Sequence, residues 1–333
     1  MAGWNLKSGS ITEYDVSEDR IWSLFNYVFS NSSRKRNTYK FGLVKSLLDN
    51  VFNGQQKSDG IYFTYEELFG RFAENYWNLV IKYDLRQMRP DGKSMYSKVE
   101  SILKQAAAEN QILVNLEFEA IEEKKKQQII KKVTTECKKC VVGALYDDFD
   151  GVIYSFDMKK SELEKLNYYS WARFLEQVND DNALIRVINK LELATPKRED
   201  LSVYREILRR EFEEDTCFYC GKKLQKVIHV DHFIPWSFVK DDKIWNFVLS
   251  CPTCNEKKNN RVPGKDYLIR IEDRNKKIQL LNNTVIQTDF AGYSDDLIGR
   301  MWSYAKLSGI KEYRGGKCSI KYKKSEAVEI DLR

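Results

Sequence analysis

Apolar positions in the first half of the chain recur at helical spacing. Phe41, Val44, Leu48 and Val51 form one such stripe. A second opens at Thr64-Tyr65-Glu66-Glu67, which reads as a capping box, and continues through Leu68, Phe69, Phe72, Tyr76, Leu79, Val80 and Tyr83. Residues 84–93, with Pro90 and Gly92, read as a loop. Further helices are expected at about 96–110, along a charged stretch at 117–144, and at 168–178 and 183–193, with one strand at 151–156. Residues 193–200, holding Pro196 among polar neighbours, read as a hinge. A helix at about 202–213 then leads into a cysteine-bearing region. Beyond Pro263 the pattern shortens to strands at 267–271 and 277–281, followed by a helix with Ser294 as N-cap and Gly309 as its C′ residue. There is no internal repeat. The expected fold class is α+β, mostly α. It comprises a predominantly helical domain over 1–195, a small cysteine-stapled domain over 200–265, and a small α/β extension over 266–333 packed on it.

Composition narrows the class. The 333 residues are more than one average core needs, so two or three domains are expected. Hydrophobic residues at 42% and aromatics at 13% are ample for packed cores. Lys plus Arg numbers 55 against 49 for Asp plus Glu; this surplus of +6 suits a polyanionic partner without requiring one. No run of 18 apolar residues occurs, so no membrane span is expected. Residues 1–15 lack the apolar stretch of a secretory signal, and a cytoplasmic setting follows as an expectation. In a reducing compartment, paired CxxC spacings among seven cysteines point to metal rather than disulfides.

Two such pairs, Cys217-Phe218-Tyr219-Cys220 and Cys251-Pro252-Thr253-Cys254, supply the four sulfurs of a closed tetrahedral zinc site. With all four positions filled by protein, that zinc is structural. Gly221 after the first pair suits the positive φ of such a turn. The chain holds only two histidines, His229 and His232, and both fall between the cysteine pairs, in His229-Val230-Asp231-His232-Phe233-Ile234-Pro235-Trp236. Asn246 follows in the same interval, and Asn255 stands directly behind the second CxxC, in Cys254-Asn255-Glu256-Lys257-Lys258.

This combination, CxxC, Asp-His-(apolar)2-Pro, Asn-(apolar)2-Leu and CxxC-Asn-x-x-Lys, resembles the HNH endonucleases. Residues 230–263 are especially similar to the HNH domain of RNA-guided CRISPR nucleases. The resemblance covers about 50 residues and implies a ββα-metal nuclease domain. Phosphodiester hydrolysis needs a base and a cation. His232 is the expected base. Asp231 and Asn255 are expected to hold Mg²⁺ or Mn²⁺. The family pattern implies that Asn246 braces the loop that orients His232. Asn255 stands where many family members carry His; it also reads as a cap of the knuckle. Lys258 and Lys257 are expected to meet the nucleic-acid backbone. His229 shares a strand face with Asp231; it reads either as a strand histidine or as a contact to metal or phosphate.

Other charged and sulfur motifs carry less. Cys137-Lys138-Lys139-Cys140 lies in a helical stretch without a partner pair, and Lys124, Lys125, Lys126, Lys131 and Lys132 read as a solvated helix face. Arg34-Lys35-Arg36 reads as a polar loop. Arg314, Lys317, Lys321, Lys323 and Lys324, interleaved with Tyr313 and Tyr322, form a second nucleic-acid candidate. The function expected is metal-dependent DNA cleavage in a bacterial or phage restriction or defence setting. The helical domain would choose targets, bind a protein partner or activator, or gate activity. The alternatives are a zinc-dependent DNA-binding protein without catalysis and a homing-type mobile-element endonuclease. Oligomeric state stays open.

Overall fold

The computed structural model describes residues 9–11, 18–30, 35–57, 60–113, 116–142, 160–179, 184–194, 200–212 and 216–315. Its elements run β1 (Gly9–Ile11), α1 (Glu18–Phe29), α2 (Tyr39–Asn50), β2 (Gln55–Lys57), β3 (Gly60–Phe63), α3 (Tyr65–Trp77), α4 (Lys98–Glu109), α5 (Glu123–Cys140), α6 (Lys160–Val178), α7 (Leu184–Leu193) and α8 (Ser202–Phe212). There follow β4 (His229–His232), α9 (Trp236–Val239), β5 (Phe247–Ser250), α10 (Pro252–Lys258), β6 (Val262–Pro263), α11 (Lys265–Ile278), α12 (Thr284–Phe290), α13 (Leu297–Leu307) and β7 (Glu312–Tyr313). The chain is α+β, mostly α.

α2 is the axis of the helical part, for every residue from Tyr39 to Asn50 is buried. It packs on α3 and α6, while α5 covers α3 and α4. Gly42 permits the α2–α3 crossing. A Cβ there would drive into the rings of Tyr76 and Phe72, 2.7 Å from the latter. Those rings stack at 4.3 Å, and Trp171 of α6 closes over Tyr76 at 5.8 Å. Thr64 and Glu67 form the expected capping box; Ser97 and Glu100 form a second at the start of α4. α3 ends in a π-helical turn over Asn78–Lys82. A buried charge cluster sits on this axis. Lys45 pairs with Asp49 one turn on, and with Glu164 of α6 at 3.8 Å. Burial alone would raise the Asp49 carboxyl, but the nearby Lys45 and Lys160 outweigh it and lower it.

Several expectations are corrected. β1, β3 and β2 form an antiparallel three-stranded sheet, with Ser10 opposite Tyr62 and Gln56 opposite Ile61, where no strand was expected. Residues 267–271 and 277–281 are not strands. Leu268, Ile271, Asn275 and Ile278 are buried along one face of α11, at helical spacing. α6 begins at Lys160, eight residues earlier than its apolar pattern indicates, because its buried face includes Glu164 and Asn167. The long charged helix spans 123–140, after a short 3-10 turn at Phe118–Ala120. Asp296 rather than Ser294 is the N-cap of α13. Gly309 is its C′ residue, at φ +86°, and a Schellman pair runs Gly309 N–H to Lys306 and Ile310 N–H to Ala305. The strand expected at 151–156 and most of the hinge at 193–200 lie outside the described residues.

One apolar cluster includes Phe25 and Leu47 of the helical part, Phe233 and Val248, and Met301 and Tyr313 near the end of the chain. Polar contacts cross the same boundary. Lys240 binds Glu164 at 2.6 Å and Arg71 binds Asp241 at 3.2 Å, and the Phe52 and Phe238 rings lie 5.6 Å apart. Among the described residues no helix is long and apolar enough to cross a membrane.

Candidate active site

β4 and β5 pair antiparallel, His229 opposite Ser250 and His232 opposite Phe247. Cys251 then ends β5 and caps α10, whose first residue is Pro252, a position where the missing N–H costs nothing. The result is two strands and a helix, with β4 packed on α10.

Both CxxC turns converge at the base of this unit. The four sulfurs of Cys217, Cys220, Cys251 and Cys254 all lie within 4.8 Å of one another, and Cys220 and Cys251 are 4.0 Å apart. A tetrahedral ion with metal–sulfur bonds of about 2.3 Å would set its sulfurs about 3.8 Å apart, so the cluster fits zinc. The first turn closes through Gly221 N–H to the Cys217 carbonyl at 2.8 Å, with Gly221 at φ +67°; Phe218 N–H ties it to Leu249 of β5. Burial, then the neighbouring Cys251, push the Cys254 thiol well up. A thiolate in that position calls for a cation.

Strand alternation sends His229 and Asp231 toward α10, and Val230 and His232 to the opposite side. Asn255 and Lys258, one turn apart on α10, meet the first pair. His229 Nδ1 lies 2.8 Å from Asn255 Nδ2. Lys258 Nζ reaches Asp231 at 3.2 Å and the His232 carbonyl at 2.6 Å. The second Asp231 partner is the Tyr219 hydroxyl, which donates at 2.6 Å; burial, then the Asp231 charge, hold that phenol well above its ordinary range.

On the other side, His232 Nε2 lies 2.6 Å from Asp242 Oδ1, and its ring meets Phe247 edge-on at 4.7 Å. Both partners are almost closed to solvent, their side chains 6% and 9% exposed. A carboxylate only accepts, so Nε2 carries the proton of this bond and Nδ1 is left as the basic nitrogen. Asn246, fully buried, grips the backbone of Ile234 with both ends of its amide. Its Oδ1 accepts from Ile234 N–H at 2.8 Å, and its Nδ2 donates to the Ile234 carbonyl at 3.0 Å. Phe233 N–H adds a bond to the Asn246 carbonyl at 2.7 Å. The turn directly after His232 is thereby fixed.

The structure thus brings His229 to Asn255 and Asp231 to Lys258, rather than Asp231 directly to Asn255. Lys258, expected at the nucleic-acid backbone, is 1% exposed and committed inward, whereas Lys257 is exposed. Tyr313 corrects another expectation. It is buried, its ring 5.5 Å from Tyr219, and offers no stacking face; Arg314 beside it is exposed, and 317–324 lie outside the described residues. Cys137 is buried and Cys140 donates to the Glu136 carbonyl within α5. Arg36 pairs with Asp91 at 2.7 Å.

Three supports have roles that the sequence alone does not reveal. Tyr219 sits inside a CxxC, where the spacing speaks only for the cysteines. Asp242 lies in the segment 237–242 that shares the family resemblance, but nothing in its spacing ties it to His232. Arg274 of α11 reaches over the hairpin, its guanidinium donating to the carbonyls of Phe247 at 2.7 Å and Trp245 at 3.2 Å, while Asn275 Nδ2 donates to Trp245 at 2.9 Å. Residues 217–264 match the model of a family described as HNH endonuclease. No curated protein and no solved structure matches the chain.

Proposed function

We propose that the chain is a divalent-metal-dependent nuclease that hydrolyses phosphodiester bonds of DNA. The observation that carries this reading is one strand–strand–helix unit with two arrays. His229, Asp231 and Asn255 share its helix-facing side, and an imidazole held by a carboxylate, His232–Asp242, stands on the other. His232 would take the proton from water through Nδ1, Asp242 fixing the tautomer and Asn246 the turn behind it. His229, Asp231 and Asn255 combine an imidazole, a carboxylate and an amide, donors suited to Mg²⁺ or Mn²⁺, with water and phosphate oxygens completing the shell. Such an ion, when bound, stabilises charge on the phosphate and on the leaving oxygen. The four cysteines would hold zinc as a staple outside the chemistry.

One observation favours a second reading, a zinc-dependent nucleic-acid-binding protein that does not cut: Asp231 is already engaged by Tyr219 and Lys258. Supercoiled plasmid incubated with the protein in Mg²⁺, in Mn²⁺ and without added metal, beside His232→Ala, separates the two. Metal-dependent nicking or linearisation lost in the variant supports the nuclease. Binding of the plasmid without cleavage in any condition selects the second reading.

A further inference from the structure

Just past Asn255 the molecule opens into a groove of about 1210 Å³. One wall is the end of α10 and the turn at 259–261; the others are the start of α6, Ser237 and Phe238 of α9, and residues 308–315. Three widely separated stretches of sequence therefore build it. Its charge is lopsided. Lys165, Lys257, Arg261, Lys311 and Arg314 line it against two carboxylates, Glu256 and Glu312. Glu312 is already occupied, with Lys306 at 2.8 Å and Arg314 at 3.7 Å. Lys165, Lys257, Arg261 and Lys311 are all exposed and, among the described residues, none has a carboxylate within ion-pair distance. Four unneutralised cations round one concavity repel one another and concentrate a positive potential there. The groove offers no ring to a base, since its two aromatic residues, Phe238 and Tyr313, are 5% and 6% exposed. Its remaining lining is polar, including Asn259 and Asn260 and the Ser237 hydroxyl that bonds to Asn260.

We propose that this groove holds the phosphodiester backbone of the nucleic acid that the adjacent site cuts, gripping it by charge and without reading bases. The proposal rests on the nuclease reading and extends it. It gives the helical part of the chain, through Lys165 of α6, a direct share in holding substrate, and makes Arg261 and Lys311 backbone contacts. Lys257, on the exposed side of α10, leads the strand from the groove toward Asn255. A cluster of unpaired cations with no stacking face predicts recognition dominated by the backbone, indifferent to sequence and steep in salt.

The test is fluorescence anisotropy of full-length protein with labelled 20-mers, between 50 and 200 mM KCl, without added divalent metal. Lys165→Ala/Arg261→Ala/Lys311→Ala is compared with Lys124→Ala/Lys131→Ala/Lys139→Ala, which removes the same three charges from exposed positions on α5 outside the groove. All six side chains are exposed, and unchanged thermal melting confirms both variants folded. If the groove holds backbone, the groove variant binds about tenfold or more weakly at 150 mM. Its log–log salt slope is then shallower by about 2.7 on duplex DNA, or by about 2.1 if a single strand of DNA or RNA is the occupant. The loss is equal across unrelated sequences, and the α5 variant stays near wild type. Equal behaviour of the two variants, or a loss confined to one sequence, overturns the groove while leaving the nuclease reading intact. Wild-type protein that neither binds nor cuts overturns both.

Discussion

Asn246 makes the sharpest test of how the site is held together. Asn246→Ala removes both ends of the amide that grips Ile234, at 2.8 and 3.0 Å, in a position with no exposed surface. The variant leaves Ile234 with a buried N–H and a buried carbonyl, neither retaining its partner. Each such group costs about 1–3 kcal/mol, so the pair costs about 2–6 kcal/mol, a large part of a typical domain's stability. Asn246→Asp keeps an acceptor for Ile234 N–H, but sets an acidic group against the Ile234 carbonyl and buries a charge, so it gives no rescue. Urea unfolding measures the total, and hydrogen exchange locates it. The Ile234 amide loses protection, while the Phe233 amide keeps its bond to the residue-246 carbonyl and is affected less. A loss of stability below about 1 kcal/mol, or equal deprotection of both amides, would refute the reasoning: the first shows that Ile234 finds other partners, the second that the whole turn melts.

Asp242→Ala and Asp242→Asn should each lower cleavage about 10²-fold or more with KM little changed, the amide failing because its NH₂ donates to Nε2 and favours the wrong tautomer; full activity in the Asn variant would show that Asp242 does not set the tautomer. Metal analysis should find about one zinc per chain, lost in Cys217→Ser together with a marked fall in melting temperature, since structural zinc contributes roughly 10–16 kcal/mol of binding; unchanged melting would remove zinc from the fold. Burial pushes Glu74 from its ordinary 4.5 up to about 7 against the pull of Arg71, so the folded chain binds more protons than the unfolded one between those values, and stability falls as pH rises through that window. The loss is about 3 kcal/mol, and Glu74→Gln should flatten urea midpoints measured from pH 5 to 8; an unaltered slope would place the proton elsewhere.

What could be read in advance followed from local spacing. Each CxxC fixes two ligands within four residues, so Cys217, Cys220, Cys251 and Cys254 were recognisable before any fold was known. His232 is legible as one of only two histidines in the chain, and Asn246 only through the pattern of the family the stretch resembles. Lys258 reads as solvated in the sequence because it stands beside an exposed lysine. Only the i, i+3 relation to Asn255 on a helix facing β4 turns it inward. α11 reads as strands in the sequence because two of its five buried residues, Arg274 and Asn275, are polar and interrupt the apolar periodicity. The sheet of β1, β2 and β3 was invisible for another reason. Strands of three or four residues are too short to show alternation, and long-range pairing alone defines them.

The parallel pairing of Val262 with Glu312 and Pro263 with Tyr313 bears on transplanting this unit elsewhere. The stretch that matches the family ends at 264, yet β6 finds its neighbour nearly fifty residues downstream. Trp302 Nε1 caps the Pro263 carbonyl at 2.6 Å, and the carbonyls of Phe247 and Trp245 lean on Arg274. Excised at the family boundary, the unit would expose an unmatched strand edge and three orphaned acceptors. A graft of this unit therefore has to run on at least to Tyr313, and has to keep α8, whose Leu208 shares an apolar cluster with Phe247 and Leu249.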